Sequence, residues 1–362
     1  MSILQKLTSS GSSRGLIGLD ISSSAVKLLE LTKRGDQVMV EAYSVEPLPI
    51  NAVADKQIAE PEVVAEAIKR AMQRAGTRTK NVAVAVAGSS VITKIIQMSS
   101  SLNDHDMEEQ IKAEADQYIP YPIEEVNMDF QVIGPSEREG GKVDVLLAAC
   151  RKEQVEQRVA AVEMAGLTAK VVDIEANALE NSCQFLTHQM PNEGRNKTVA
   201  VIDMGASTTS VLILHNNETV YTRDQAFGGK QLTEDIMRIY GMSYEDAGKA
   251  KRTGQLPEGF ESDVLSHFLS DMAQQIDRSF QFFFNASAAH SQIDQIILAG
   301  GCAHIAGVER SIQERLQIPT VVARPFSRMA VSARAKPTVL AKDEAALLIA
   351  CGLAHRAFDA LA

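Results

Sequence analysis

The feature that most constrains this chain is a pattern that occurs twice. Near the start, the run Gly15-Leu16-Ile17-Gly18-Leu19 ends in Asp20. It passes through Ile21-Ser22-Ser23-Ser24-Ala25 and returns as Val26-Lys27-Leu28-Leu29-Glu30-Leu31. Far downstream, Val199-Ala200-Val201-Ile202 ends in Asp203. It passes through Met204-Gly205-Ala206-Ser207-Thr208-Thr209 and returns as Ser210-Val211-Leu212-Ile213-Leu214. Each stretch reads as two apolar strands joined by a turn of small and hydroxyl residues, with an aspartate closing the first strand. Two such hairpins, well separated, predict two similar α/β halves in one chain.

Turns of this kind suit a polyphosphate. Gly, Ser and Thr let backbone N–H groups and hydroxyls approach phosphate oxygens. An aspartate at a strand end suits Mg²⁺, which keeps much of its water shell. Lys27, on the strand leaving the first turn, is a point charge placed to reach a β- or γ-phosphate. A third element, Ile297-Leu298-Ala299-Gly300-Gly301, is a strand entering a glycine pair, where a base or ribose can lie against the backbone. Taken singly, each piece is equally an ordinary hairpin or αβ turn. The repetition favours the nucleotide reading.

Composition narrows the class. The chain has 362 residues, enough for two lobes. Its formal net charge of -10 argues against a uniformly basic nucleic-acid surface. No apolar run approaches the roughly 20 residues of a membrane span. Residues 1–13 include Ser9-Ser10-Gly11-Ser12-Ser13 and lack the apolar core of a signal peptide. They read as a flexible leader on a cytoplasmic protein. Cys150, Cys183, Cys302 and Cys351 are scattered and form no C-x-x-C pair, so packed thiols are expected. The histidines form no metal-binding cluster.

Periodicity predicts further elements. Helices are expected over Pro61 to Ala75, Asp104 to Tyr118, Lys152 to Ala165, Gln231 to Tyr240, Asp263 to Ala286, Gly307 to Leu316 and Asp343 to Phe358. Ile119-Pro120-Tyr121-Pro122 stops the second of these, and Gly166 the third. Strands are expected at Val82 to Ala87, Asp144 to Cys150 and Ile293 to Leu298. The polar stretch Pro191 to Lys197 is the expected boundary between the halves. Phe280, Phe282, Phe283 and Phe284 read as core on a long helix. Lys142, Arg151, Lys152 and Arg158 read as a solvated surface rather than a basic patch.

The motifs resemble the actin, heat-shock chaperone and sugar-kinase superfamily, in its order. Asp20 to Ser24 with Lys27 is similar to the first phosphate motif, and Val199 to Thr209 to the second. Ile297 to Gly301 is similar to the adenosine motif. Val171 to Ala178 and Ala346 to Ala354 resemble the two connecting elements. Within that superfamily the chain most resembles the PilM family of type IV pilus assembly proteins. The segments that carry this are Leu19 to Ser24, Lys27 to Leu31, Glu114-Ala115-Asp116-Gln117-Tyr118-Ile119-Pro120-Tyr121-Pro122, and Phe227-Gly228-Gly229-Lys230-Gln231-Leu232-Thr233.

The resemblance implies a duplicated α/β fold of the actin-like ATPase (ribonuclease-H-like) kind, FtsA-like, with an inserted subdomain IC. Subdomain IA takes 14–87 and 167–197, IC 88–166, IIA 198–229 and 291–362, and IIB 230–290. It implies ATP with Mg²⁺, the metal faced by Asp20 and Asp203. The implied nucleotide contacts are Asp20, Ser22, Ser23, Ser24 and Lys27 in the first half. In the second they are Asp203, Gly205, Ser207, Thr208, Thr209, Gly228, Gly229, Lys230, Gly300 and Gly301. Lys251 is added because Ala247 to Arg252 resembles an adenosine-contact helix, although Gly248 replaces its usual Glu. Glu175 is the implied group for orienting water in ATP hydrolysis, with weak or no turnover expected.

The implied partners are the cytoplasmic N-terminal peptide of the inner-membrane protein PilN and the motor ATPases PilB and PilT. Membrane contact would be indirect, at the inner membrane. Tyr118 and Tyr121, held by two prolines, are the implied peptide surface. A filament-forming actin-like ATPase and a small-molecule kinase remain the alternative readings at this stage.

Overall fold

The computed structural model describes residues 15–359 except 36, 55, 138 and 288–291. The expected leader lies outside the described residues. By internal contacts the chain forms two compact units. One draws on Met1–Thr32, Ala42–Ala178 and Leu353–Ala362, the other on Lys33–Glu41 and Leu179–Gly352. The polar stretch expected as the boundary, Pro191 to Lys197, falls inside the second unit.

The first unit is built on a sheet of β1 (Leu16–Ile21), β2 (Ala25–Arg34), β3 (Gln37–Pro47), β6 (Asn81–Val86) and β10 (Thr168–Ile174), in the order β10-β6-β1-β2-β3. β1 is buried at all six positions, as a strand covered on both faces must be. It runs antiparallel to β2 and parallel to β6. A small hairpin, β4 (Val53–Ala54) and β5 (Gln57–Ile58), precedes α1 (Pro61–Ala75). α1 has the expected bounds. Pro61 opens it, and Gly76, at φ 65, ends it with its N–H on Met72 O. Val64, Ala67, Ile68 and Ala71 bury one face against the sheet.

The segment between β6 and β10 adds a second, three-stranded antiparallel sheet: β7 (Val91–Ser99), β8 (Val126–Pro135) and β9 (Lys142–Arg151), with β9 central. It has its own core, with Ile96, Met98, Val145 and Leu147 packed against Met107 and Ile111. Those two come from α2 (Asp104–Ala113), which is capped by Asn103 Oδ1 accepting from Asp106 N at 3.0 Å. The single helix expected over Asp104 to Tyr118 is in fact broken at Glu114 (φ -102, ψ 6), and α3 (Ala115–Tyr118) follows. The break turns Ala115 and Ile119 into the insert's core.

α4 (Lys152–Met164) packs on α1, β6 and β10. It corrects one expectation. Arg158 is not on a solvated surface: it is 1% exposed, because it lies on the face of α4 that covers the sheet. Arg151 stacks over Tyr121 at 4.3 Å, and Lys152 Nζ donates to Glu124 O at 2.6 Å.

The second unit repeats the plan. Its sheet has the order β13-β12-β11-β14-β15, from β11 (Thr198–Met204), β12 (Thr209–His215), β13 (Glu218–Gln225), β14 (Gln295–Ala299) and β15 (Thr320–Val322). β11 and β12 form the second hairpin, and β14 is parallel to β11. β16 (Ala330–Val331) pairs with Met39 and Val40 at the start of β3, which belong to this unit. α5 (Glu175–Cys183) precedes this sheet in the chain, and the division between the units falls within it. α6 (Gly229–Tyr240), α7 (Tyr244–Thr253), α8 (Ser266–Ala286) and α9 (Val308–Leu316) complete the layer. Phe280 and Phe283 are core, as expected. Phe282 is 50% exposed, beneath Arg223 at 3.8 Å.

The last helix differs from expectation. Asp343 to Phe358 is not continuous. α10 (Pro337–Asp343) ends, a tight turn covers Glu344–Leu347, and α11 (Leu348–His355) follows. The cause is a diverted carbonyl: Ala345 O accepts from Gly300 N at 2.7 Å. The four cysteines are buried and form no disulfide.

Candidate functional site

In the first unit the three-serine turn closes tightly. Ser22 N and Ser22 Oγ both donate to Ala25 O, at 3.0 and 2.9 Å. Ser24 O accepts from Leu48 N at 2.9 Å. Ser22 and Ser23 are partly exposed and Ser24 is exposed, while the Ser22 hydroxyl turns back onto Ala25 O. Asp20 is only 3% exposed, and Lys27 Nζ lies 2.9 Å from its Oδ2. A carboxylate so buried requires a partner of this kind. Lys27 is therefore fixed beside Asp20 at the root of the turn.

Glu175 is the first residue of α5, where β10 ends. It is buried, and Lys56 Nζ meets its Oε2 at 2.6 Å. Beneath them, Arg158 donates from Nε to Ala85 O at 2.5 Å and from Nη2 to Lys56 O at 2.9 Å. Burial pulls the Arg158 guanidinium below its ordinary range, and Glu175, Cys150 and Asp20 act against that. Nearby, Asp173 is pushed up by burial. Arg356, 3.5 Å away, opposes the shift.

In the second unit the hairpin turn is bound to the helix that follows it. Gly205 N donates to Thr208 O at 2.9 Å, and buried Thr209 donates from Oγ1 to Phe227 O at 2.8 Å. Gly229 N and Lys230 N, the first amides of α6, donate to Gly205 O and Ala206 O at 3.0 and 2.8 Å. A Cβ on Gly228 would stand 2.5 Å from Gly205 O, so only glycine fits there. The expected contact Lys251 is in this cluster, but it faces protein. Its Nζ donates to Gly229 O at 2.7 Å and to Thr233 Oγ1 at 2.6 Å, and burial pulls it down. The Lys230 side chain points away, with its Nζ 3.8 Å from Glu234.

Gly300 has φ +82, and a Cβ there would meet Met204 O at 2.4 Å and Asp203 Oδ1 at 2.6 Å. The glycine pair thus abuts the end of β11, at Asp203. Gly301 has open space around it. Asp203, Ser207 and Thr208 are partly exposed at the strand end and turn. The structure therefore gathers Asp203, Gly205, Gly228, Gly229, Lys251 and Gly300 in this unit.

Both turns fit phosphate chemistry, with partly exposed hydroxyls beside a strand-end aspartate. Among the described residues no three His, Cys, Asp or Glu side chains group as a metal cage. Asp203, partly exposed, suits a magnesium held through its waters, whereas Asp20 is buried against Lys27. Sequence reasoning missed Lys56, Arg158 and Cys302. Cys302 Sγ donates to Gly205 O at 3.2 Å, and its place directly after Gly300-Gly301 was a usable signal. Lys56 sits in a short turn with no motif.

The proline-held segment forms an open concavity of about 540 Å³ that includes Ile119, Pro120, Tyr121 and Pro122. Tyr118 does not line it. Its Oη donates to Glu114 at 2.8 Å, and burial followed by Glu114 pushes the phenol up. Both rings also pack on the insert's core. No helix among the described residues is long and apolar enough to cross a membrane.

Comparison with known proteins bears on the fold and the family. The chain is 26% identical over 349 residues to the cell division protein FtsA of Streptococcus pneumoniae, covering 82% of this chain and 72% of that one. It is 25% identical to FtsA of Enterococcus hirae, covering 82% and 75%. The ethanolamine utilization protein EutJ from Carboxydothermus hydrogenoformans, at 15% identity and TM-score 0.54, covers 93% of this chain and 88% of its own and shares the fold. The solved PilM-PilN type IV pilus biogenesis complex matches at TM-score 0.80 and 28% identity, over 96% of this chain and 100% of that one. The fold is that of the actin-like ATPases. The family model for the type IV pilus assembly protein PilM matches residues 18–358, and the chain belongs to that family.

Proposed function

We propose that the chain is an ATP-binding scaffold of the type IV pilus inner-membrane assembly complex. It captures the cytoplasmic N-terminal peptide of PilN and works at the cytoplasmic face of the inner membrane, linking the complex to the pilus motor ATPases. The observation that carries this reading is the match to the PilM-PilN complex over nearly the whole chain. The proline-held surface at Tyr118 and Tyr121 supports the peptide site. A rigid apolar wall binds an extended peptide with little loss of side-chain freedom.

ATP with Mg²⁺ is the proposed ligand, and each hairpin turn is assigned as a phosphate-binding element of its own unit. Support comes from the repeated strand–aspartate–turn geometry and from the glycine pair packed on Asp203. The chain's own groups would act by binding and orientation, with the partly exposed Asp203 facing the ion's waters in its unit and Lys27, beside Asp20, facing phosphate in the other. Subdomain IC is assigned to the insert carrying β7 to β9.

A labelled PilN N-terminal peptide, titrated against wild type, Tyr118→Ala and Tyr121→Ala, tests the partner. Wild type is expected to bind and the folded variants to bind at least about tenfold more weakly. Absence of wild-type binding overturns the partner reading. Unchanged affinity in both variants moves the peptide off this surface.

A further inference from the structure

Glu175 is held by one of its two carboxylate oxygens. Lys56 Nζ holds its Oε2 at 2.6 Å, and the two side chains are only 24% and 11% exposed. The residues are 119 apart in sequence, so the contact is a product of the fold. Lys56 lies in the turn of the β4–β5 hairpin, whose strands pair Val53 with Ile58 and Ala54 with Gln57. It adopts φ 66, a left-handed backbone that a lysine rarely takes. Such a conformation persists where its surroundings impose it.

The two-residue turn between paired Ala54 and Gln57 itself calls for this positive φ, and the side chain that anchors the turn's backbone is that of Arg158. Its Nη2 donates to Lys56 O at 2.9 Å, while Nε donates to Ala85 O of β6 and Nη1 to Gln154 O at 3.4 Å. These partners are all backbone carbonyls. The buried guanidinium therefore fixes where the hairpin's backbone lies, and the hairpin's position brings the Lys56 ammonium to Glu175.

A carboxylate that orients water for phosphoryl transfer needs accessible lone pairs and the right direction. The ammonium claims Oε2 and sets the direction of the group. The N-terminus of α5 also favours the anion where it is. We infer that Lys56 is a latch that keeps Glu175 from orienting water, and that Arg158 is the positioning residue that seats the latch. The inference rests on the ATP-binding reading above and on the water-orienting role that the family resemblance implies for Glu175. It makes slow turnover a property of the β4–β5 hairpin, and displacement of that hairpin the event that releases hydrolysis.

The test compares wild type, Lys56→Met, Lys56→Arg, Glu175→Gln and the Lys56→Met/Glu175→Gln double variant. Affinity for a fluorescent ATP analogue and single-turnover phosphate release across pH are measured on each. Lys56→Met is expected to release phosphate about tenfold faster while its affinity stays within about twofold, a split that a general loss of structure does not give. The acceleration should vanish in the double variant. Lys56→Arg should restore the restraint. Acceleration in folded Arg158→Lys, checked by thermal melting, supports the seating role, and an unchanged rate there removes it. If Lys56→Met binds the analogue but is no faster, or is equally fast without Glu175, the latch is overturned while the ATP reading stands. If no form binds the analogue, both fall.

Discussion

Asp20 and Lys27 face each other across the β1–β2 ladder, with Lys27 Nζ 2.9 Å from Asp20 Oδ2. The same register puts Ile17 opposite Glu30 and Leu19 opposite Leu28. The spacing of these two charges in the sequence is thus set by a three-residue turn between antiparallel strands. Cross-strand partners share a face, so the ammonium cannot avoid the carboxylate.

Breaking this pair from one side leaves a buried, unpaired carboxylate. Lys27→Met should cost about 3 kcal/mol of stability at neutral pH. The Asp20→Asn/Lys27→Met double variant should recover most of that loss. Urea melts of the four forms check the cycle, and additive losses would show that the pair is not coupled.

Asp203 makes a separate test of nucleotide binding. Asp203→Ala should raise the Kd for Mg-ATP on the order of a hundredfold, close to 2.7 kcal/mol. Calorimetry with and without magnesium reads it. The loss should be much smaller in the metal-free titration, because the carboxylate acts through the ion.

The glycine pair offers a contrast within two residues. Gly300→Ala places a methyl 2.4 Å from Met204 O on a left-handed backbone and should destabilise by about 2 kcal/mol or more. Gly301→Ala meets nothing within 4 Å and should stay within about 0.5 kcal/mol of wild type. Thermal melts of the two variants decide it.

Asp129, on β8, has its carboxyl pushed up to about 6, mainly by burial. The folded state therefore holds this proton more tightly than the unfolded chain does. The stability this gives is present below about pH 4 and is lost as pH rises through about 6. At pH 7.5, Asp129→Asn should be more stable than wild type by about 1 kcal/mol, after allowance for the group's partial exposure. At pH 3.5 the difference should vanish. Melts at the two pH values check the sign.

The two hairpins were legible because their signal is local: an apolar strand, an aspartate, a small turn and a returning strand. The bounds of α1 were legible because Pro61 and Gly76 mark its ends. What escaped depended on distant partners. Arg158 looked like surface because its burial comes from contacts with Ala85 and Lys56, which a helical pattern does not encode. The break at Glu344–Leu347 follows from Ala345 accepting the Gly300 amide. The site residues were read partly by local chemistry and partly by resemblance. Neither revealed that the Lys251 ammonium is occupied by Gly229 O and Thr233 Oγ1.

The hydrogen bonds around Gly205 have a mechanical consequence. Gly205 O takes Gly229 N and the Cys302 thiol, Ala206 O takes Lys230 N, and Gly229 O takes Lys251 Nζ. The turn is riveted to α6, and α6 to α7, with no slack between them. Any ligand that shifts this turn by a fraction of an ångström must carry both helices with it.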